Sequence, residues 1–474
     1  MKKIALILLI TLPASLIAQE KWSLRRCVEY AMQNNISVQQ ADVQARIAAL
    51  QVKQAQLNQY PNLNFNTNLS LQFGRSIDPT SNQFTTSKFF SQNYGINGGI
   101  QILNWGKLKN TVSFSRFNAQ AALEDMKKAA NDIALNVANF YLQVLLSNEQ
   151  IQVSEIQINQ TQAQYDFTKK KVDAGALPEL NLAEIESQLA TDSSNLITAK
   201  AAYTQNILSL KGLLNIDAAL PFDIETPPVE SIPLETFGAL QPDVVYQLAM
   251  MNQPEQKAFA LRIQGAETNI KINKSSMYPS LSGFYGLGSA YNNQAIRVIG
   301  SQMINVPIGN VNVGGTNYDV YPNSPYVVNT YGKAPYFNQL NNNFNQNIGL
   351  TLSIPIFQNG NARMNYERSK LDLSNMQLQK LQADQTLKTN IYTAYANAVS
   401  SFEKYMVGTK QVEAAQKTYD FAQKRYEVGL LTTFELLTDQ NNLLLAKLQQ
   451  MTSHYDYIFK MKVLEYYKGE GLKL

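Results

Sequence analysis

The sequence predicts a mainly α-helical subunit that carries part of a membrane β-barrel, with long antiparallel helical hairpins and two internal repeats. Three observations predict it. Short motifs recur at fixed spacings. Each copy holds two stretches of period-two alternation. Each copy then runs on through residues 107–174 or 361–428 without proline, with Gly408 as the one glycine.

Residues 1–18 carry Lys2 and Lys3, an apolar run over 4–12, then Pro13 and Ala18, the pattern of a secretory signal. The single cysteine, Cys27, follows Arg25-Arg26, which is no lipid-attachment box, so no N-terminal lipid anchor is expected. One cysteine makes no internal disulfide, and stability must come from packing and assembly. Beyond the signal no run approaches the ~20 apolar residues of a spanning helix, so any membrane contact is made by strands.

Charged residues are 16% of the chain and the formal net charge is +4. That fraction lies below the ~25% of ordinary soluble domains. Lys169-Lys170-Lys171 is a short basic cluster inside a helical pattern, which argues against nucleic acid. Phosphate loops, nucleophile elbows and clustered metal ligands do not occur in the sequence. His454, the one histidine, sits on a helical stripe beside Tyr455. No catalytic residue, cofactor or metal site is expected, and the chain reads as a non-enzyme.

Tyr60-Pro61-Asn62-Leu63 recurs as Tyr278-Pro279-Ser280-Leu281, and the same shift of 218 residues carries Ala31 onto Ala249, Asn34 onto Asn252 and Lys53 onto Lys271. A second shift, of 254, carries Gly95 onto Gly349, Gly106 onto Gly360, Tyr165-Asp166-Phe167 onto Tyr419-Asp420-Phe421, and Gly175 onto Gly429. Fixed spacing marks duplication. The boundaries expected are a first repeat over 19–218, a Pro-rich join over 219–242 and a second repeat over 243–474, with the 36 extra residues of the second copy between Leu281 and Gln346.

Leu63, Phe65, Thr67, Leu69, Leu71 and Phe73 alternate with Asn64, Asn66, Asn68, Ser70 and Gln72. This is the period of a strand with one apolar and one wet face. Strands are expected at about 61–73, 93–103, 280–290 and 346–357, of the length found in barrel walls. The breaker-free stretches, at ~1.5 Å per residue, would each span roughly 100 Å as one helix. Helices of that length depend on lateral packing. In the last helix Leu437, Leu444, Leu448, Met451, Tyr455 and Ile458 form a heptad seam with Asn441 in its one gap, and the seam is expected to stop at Lys462.

Gly175 and Gly429 each end a long helix with the left-handed residue that helix stops favour, and another helix follows. These turns are read as hairpin tips at the end of each helical pair remote from the strands. Four strands per chain are too few for closure, since the smallest bacterial barrels have about eight. An open sheet in hydrocarbon would leave backbone groups unpaired. Several copies must therefore share the wall, and dimers, trimers and tetramers all satisfy the count.

The residues that carry a family resemblance are Trp22-Ser23-Leu24 through Ala31 and Asn34-Asn35, the two Tyr-Pro-x-Leu strand starts, Ile354-Pro355-Ile356-Phe357 with Gly360, and Tyr426-Glu427-Val428-Gly429 with Phe434-Glu435-Leu436-Leu437. In order and spacing the chain resembles the outer-membrane efflux proteins, the TolC-like family, along nearly its whole mature length. The resemblance implies a homotrimer whose three chains share one β-barrel in outer-membrane lipid and an α-barrel in the periplasm. It also implies docking to a periplasmic adaptor (membrane fusion) protein and an inner-membrane pump of the RND or ABC type. In that family acids ring the periplasmic entrance. By position Glu435 matches one such acid, Asn181 stands where a comparable acid occurs, and Asp439 lies next to a third position. The tip residues Gly175, Leu177, Tyr426, Gly429 and Leu431 are the candidates for adaptor docking. Leu431 replaces an arginine that helps lock the entrance in some members, so that salt bridge is not expected here.

Three copies of Glu435 and Asp439 would make a negative ring able to attract cations. The same residues also suit an ordinary helix start, where acids favour the dipole. Two functions compete: a passive conduit across outer membrane and periplasm, for tripartite efflux or type I secretion, and a structural or adhesion spacer built on coiled coils. The strand hairpins favour the conduit, because a spacer has no use for a lipid-facing wall.

Overall fold

The computed structural model describes residues 21–77, 82–226 and 232–469. The secretory signal expected over 1–18 lies outside the described residues, as does 227–231 of the Pro-rich join. The chain divides into two compact units: one of Met1–Gln51, Phe114–Glu267 and Leu371–Leu474, the other of Val52–Ser113 and Thr268–Lys370.

The helices come in pairs of equal length. α1 (Leu24–Asn34) and α5 (Pro242–Asn252) have 11 residues each; α2 (Ile36–Leu57) and α6 (Pro254–Ser275) have 22. α3 (Lys107–Asp173) and α8 (Asn361–Glu427) have 67, and α4 (Glu179–Leu214) and α9 (Thr433–Lys468) have 36. Gly408 does not interrupt α8. A Cβ there would stand 3.2 Å from the Gln450 Cα, so the glycine lets α9 approach closely.

In the first unit, Cys27, Val28 and Ala31 of α1 pack with Val137, Tyr141, Val144 and Leu145 of α3, Leu210 and Leu214 of α4, and Ile458 of α9. The Tyr141 hydroxyl donates to the Glu225 carbonyl at 2.6 Å, which ties the segment after α4 onto this core. Burial pushes the Cys27 thiol up to about 12, so it behaves as a packed apolar group. A second core joins Leu240, Val245 and Ala249 to Ile391, Ala398, Met461 and Leu464. Lys462 does not end the helical seam: it is buried, its Nζ 2.9 Å from Glu465 Oε2 and 2.7 Å from the Pro233 carbonyl. A lysine interrupts a seam only while uncompensated, and here a carboxylate and a carbonyl compensate it.

The second unit holds an antiparallel sheet in the order β1-β2-β3-β8, formed by β1 (Asn62–Ile77), β2 (Phe84–Leu103), β3 (Ser280–Asn292) and β8 (Asn345–Ser353). Register sorts the side chains. Phe65 faces Ile96, which faces Leu287; Gly98 faces Tyr285, which faces Ile348. On the opposite side Asn64, Asn97, Gly286 and Asn347 form one row, and Asn66, Gly95, Gly288 and Asn345 the next. β2 begins at Phe84, well before the alternation read at 93, because Arg75 to Ile77 continue to pair with Phe84 to Thr86. β8 ends at Ser353, short of the expected 357, where Pro355 supplies no N–H for a ladder.

The insertion of the second half is structured. β4 (Ile296–Ile304) pairs with β7 (Tyr326–Lys333), β5 (Gly309–Val313) with β6 (Thr316–Val320), and α7 (Tyr336–Asn342) leads into β8. Among the described residues no strand pairs with the outer edge of β1 or of β8. No described helix is long and apolar enough to cross a membrane.

Candidate functional site: the paired hairpin turns

Both turns are built by the same backbone device. Gly175 has φ +69°, its N–H donates to the Val172 carbonyl at 2.9 Å, and the Ala176 N–H reaches back to Lys171 at 2.8 Å. Gly429 has φ +77°, its N–H donates to Tyr426 at 3.0 Å, and the Leu430 N–H reaches back to Arg425 at 2.8 Å. This paired closure satisfies the last carbonyls of α3 and α8 and needs a residue tolerant of the left-handed region.

The helices that leave the turns start differently. Pro178 precedes α4 and offers no side-chain cap. Thr432 caps α9: its Oγ1 accepts from the Glu435 N–H at 3.3 Å, while Glu435 Oε2 accepts from the Thr432 N–H at 3.0 Å. This is a reciprocal capping box. The Thr432 hydroxyl lies 2.8 Å from the same Oε2, which leaves Oε1 outside the box. The Thr432 backbone N–H, then its hydroxyl, and then the nearby Arg425 charge hold the Glu435 carboxyl below the usual carboxylate range.

The two hairpins meet through polar side chains. Asn181 Nδ2 donates to Thr433 Oγ1 at 2.6 Å, joining the start of α4 to the start of α9. The Thr168 and Tyr426 hydroxyls lie 2.9 Å apart, both buried. Lys171 donates to the Glu427 carbonyl at 3.1 Å and stands over the Phe167 ring at 4.5 Å. Further along, Gln440 donates to Thr161 at 3.0 Å, Thr161 donates to Asp192 at 2.6 Å, and Gln188 bridges Asp192 at 2.8 Å and Asn441 at 3.2 Å. Asp192 is 1% exposed, and hydroxyl and amide donors, not a cation, satisfy its carboxylate.

Of the residues singled out from sequence, the structure therefore brings Asn181, Tyr426 and Glu435 to one place, all anchored on or beside Thr432 and Thr433. Gly175 and Gly429 are the turns themselves. Leu431 packs half-buried against the cluster of Tyr419, Ala422, Tyr426, Leu436 and Leu443, and Leu177 is half-buried as well. Asp439 is half-buried one turn after Glu435 and is not part of the capping box.

The family model for outer membrane efflux proteins matches residues 28–215 and 245–458, which takes in the first hairpin, most of the second, both turns and all four strands of the sheet. The chain belongs to this family. Among curated relatives, the pyoverdine export outer membrane protein OpmQ of Pseudomonas aeruginosa is 20% identical over 377 residues, spanning 78% of this chain and 67% of its own. The cation efflux system protein CusC of Escherichia coli (strain K12) is 23% identical over 263 residues, spanning 56% of this chain and 55% of its own. The crystal structure of CusC superposes with a TM-score of 0.76 at 18% identity, covering 94% of this chain and 92% of that one. The outer membrane channel CmeC of Campylobacter jejuni gives 0.72 at 17% identity, covering 95% and 86%. This outer membrane efflux protein is thus a channel component of the outer membrane, and the spacer reading falls away.

Sequence reading missed two features of the efflux protein's hairpin ends. One is the buried polar seam. Gln157, Thr161, Gln164 and Thr168 follow a four-three-four spacing on α3, where apolar residues are the norm, and that substitution was the available signal. The other is the set of exposed apolar side chains on and beside the turns, Leu180, Val428, Leu430 and Phe434, each 67–70% exposed. Apolar residues on both sides of Gly429, where a solvated turn would be polar, carried that information.

Proposed function

We propose that three copies of this efflux protein close one barrel from their four-stranded sheets, and that the joined helical hairpins continue it as a duct that passively conducts cargo. The observation that carries this reading is the sheet. It has one apolar face, one Asn/Gly face and, among the described residues, two unpaired edges, β1 and β8. In hydrocarbon an unpaired edge costs several kcal/mol per orphaned group, so edges must be joined by other copies.

The helices support the same reading. Ile36, Val43, Ile47, Leu50 and Leu57 of α2 are exposed at heptad spacing, as are Met364, Leu371, Leu378 and Leu381 of α8. Solvent is not the natural environment of such seams, and neighbouring helices are. Equal helix lengths in the two halves support an internal duplication, so that each copy adds two similar staves. The exposed Leu180, Val428, Leu430 and Phe434 at the turns are the surface for a periplasmic adaptor, which links the duct to an inner-membrane pump. Glu435 Oε1 and Asp439 are the acids of the entrance, with Asn181 beside them.

The test is mass and conductance together. Light scattering of the detergent-solubilised full chain should give three copies, and planar bilayers should show channels. A folded monomer that stays soluble without detergent would overturn the reading.

A further inference from the structure

The ribbon inserted between β3 and β8 is left unused by everything above. Its register is pinned by Gly314 (φ +62°) and Gly315 (φ +93°), the tight two-residue turn that suits strand twist. β5–β6 has two unlike faces. Gly309–Val320, Val311–Tyr318 and Val313–Thr316 are directly opposed pairs on one side; Asn310–Asp319 and Asn312–Asn317 occupy the other, with Asn312 donating to Asn317 at 2.7 Å. Val311, Val313, Tyr318 and Val320 are 41–61% exposed. A two-stranded ribbon is marginal by itself and gains stability when such a face is covered.

We propose that the apolar face of β5–β6 docks against the same ribbon of a neighbouring copy. The inference rests on the closure of the sheet by further copies argued above. Two observations select a second copy as the occupant. Residues 293–344 contain only Arg297, Asp319 and Lys333 as charged groups, so the segment offers little charge complementarity to a charged headgroup or protein and little self-repulsion. The ribbon also continues into the unpaired edge. The Ala334 N–H donates to Ala295 at 2.9 Å at its base, and α7 then leads into β8, which must pair with another copy. Every copy thus brings its ribbon beside a junction between copies.

The test is oxidative cross-linking of the full chain in outer membranes, using Val311→Cys on the apolar face and Asn312→Cys on the polar face. Cys27 is fully buried and stays silent. The expected result is a covalent dimer of the chain with Val311→Cys, lost with Asn312→Cys and lost again when Tyr318→Asp is added. Equal dimer from both cysteines, none from either, or an adduct with a different protein overturns the docking. Light scattering of the same samples separates the two readings: an intact oligomer without the selective cross-link overturns only the ribbon contact, and a monomer overturns the closure beneath it.

Discussion

Along α3 one helix is packed twice, by opposite chemistry. Around Tyr141 its neighbours are Val137, Val144 and Leu145 with Leu210, Leu214 and Ile458, all buried and nearly all apolar. Around Thr161 the buried residues include the polar Gln157, Thr161 and Thr168 with Asp192, Thr433 and Gln440. Apolar burial stabilises by about 1.5–3 kcal/mol per large side chain, whereas a hydrogen bond nets about 0.5–1.5 because water replaces it on opening. Within the second hairpin, α8 and α9 still share an apolar cluster of Tyr419, Tyr426, Leu436 and Leu443. By these magnitudes the polar seam between the hairpins is the weaker of the two packings. Gln157 Nε2 and Gln164 Nε2, buried with no acceptor, weaken it further.

The largest expected effect lies on the apolar side of this comparison. Leu210→Ala removes a fully buried side chain from that core, and the loss expected is about 2–5 kcal/mol, read as a fall in the thermal midpoint of the helical signal. A change below that of any polar-seam variant would break the contrast. On the polar side, Asp192→Ala leaves the Thr161 hydroxyl without its acceptor and the Gln188 amide with Asn441 alone, for about 1–3 kcal/mol. Its signature is local, as faster amide exchange over α3 near Thr161 with the Tyr141 region unchanged. Uniform loss of protection along α3 would show that the two stretches are one cooperative core. Tyr426→Phe is smaller again, at about 1 kcal/mol, because it deletes one hydroxyl between Thr168 and Thr433 and keeps the ring packed. It should hasten proteolysis at the Gly429 turn and leave the thermal midpoint nearly in place.

Elements governed by local period or by a single backbone requirement were legible in the sequence. Alternation from Leu63 to Phe73 gave the apolar face of β1, and Gly175 and Gly429 gave the turns, because each rests on a constraint that one residue type meets. Contacts between segments far apart in the chain were not. The Thr161–Gln440 bond links residues 279 positions apart, and nothing near either one signals the other. The interior position of Lys462 depends on Glu465 and on the Pro233 carbonyl, so its burial follows from the fold and not from its own side chain. The β4–β7 pairing was not legible because apolar residues occur on both faces of β4 and β7, which blurs the period-two signal; β5 and β6 do alternate but are only five residues each.

The smallest effect sharpens the comparison at the turn itself. Glu435 is fully exposed, so its hold on α9 is local and carries no large share of stability. Its folded pKa is depressed, first by the Thr432 N–H and then by the Thr432 hydroxyl. A depressed carboxyl stabilises the fold above its unfolded pKa, and that contribution fades as the pH falls through the lowered folded value. Amide protection at Thr432 to Leu436 should therefore decline in the native chain only as the pH falls below the usual carboxylate range. Glu435→Gln should flatten that dependence, because its amide still accepts from Thr432 without titrating. The same variant separates cap from entrance ring: if Oε1 serves the ring, block of conductance by divalent cations weakens while protection of the helix start persists. Unchanged block with altered protection would assign Glu435 to the cap alone and leave Asp439 as the only acid of the entrance.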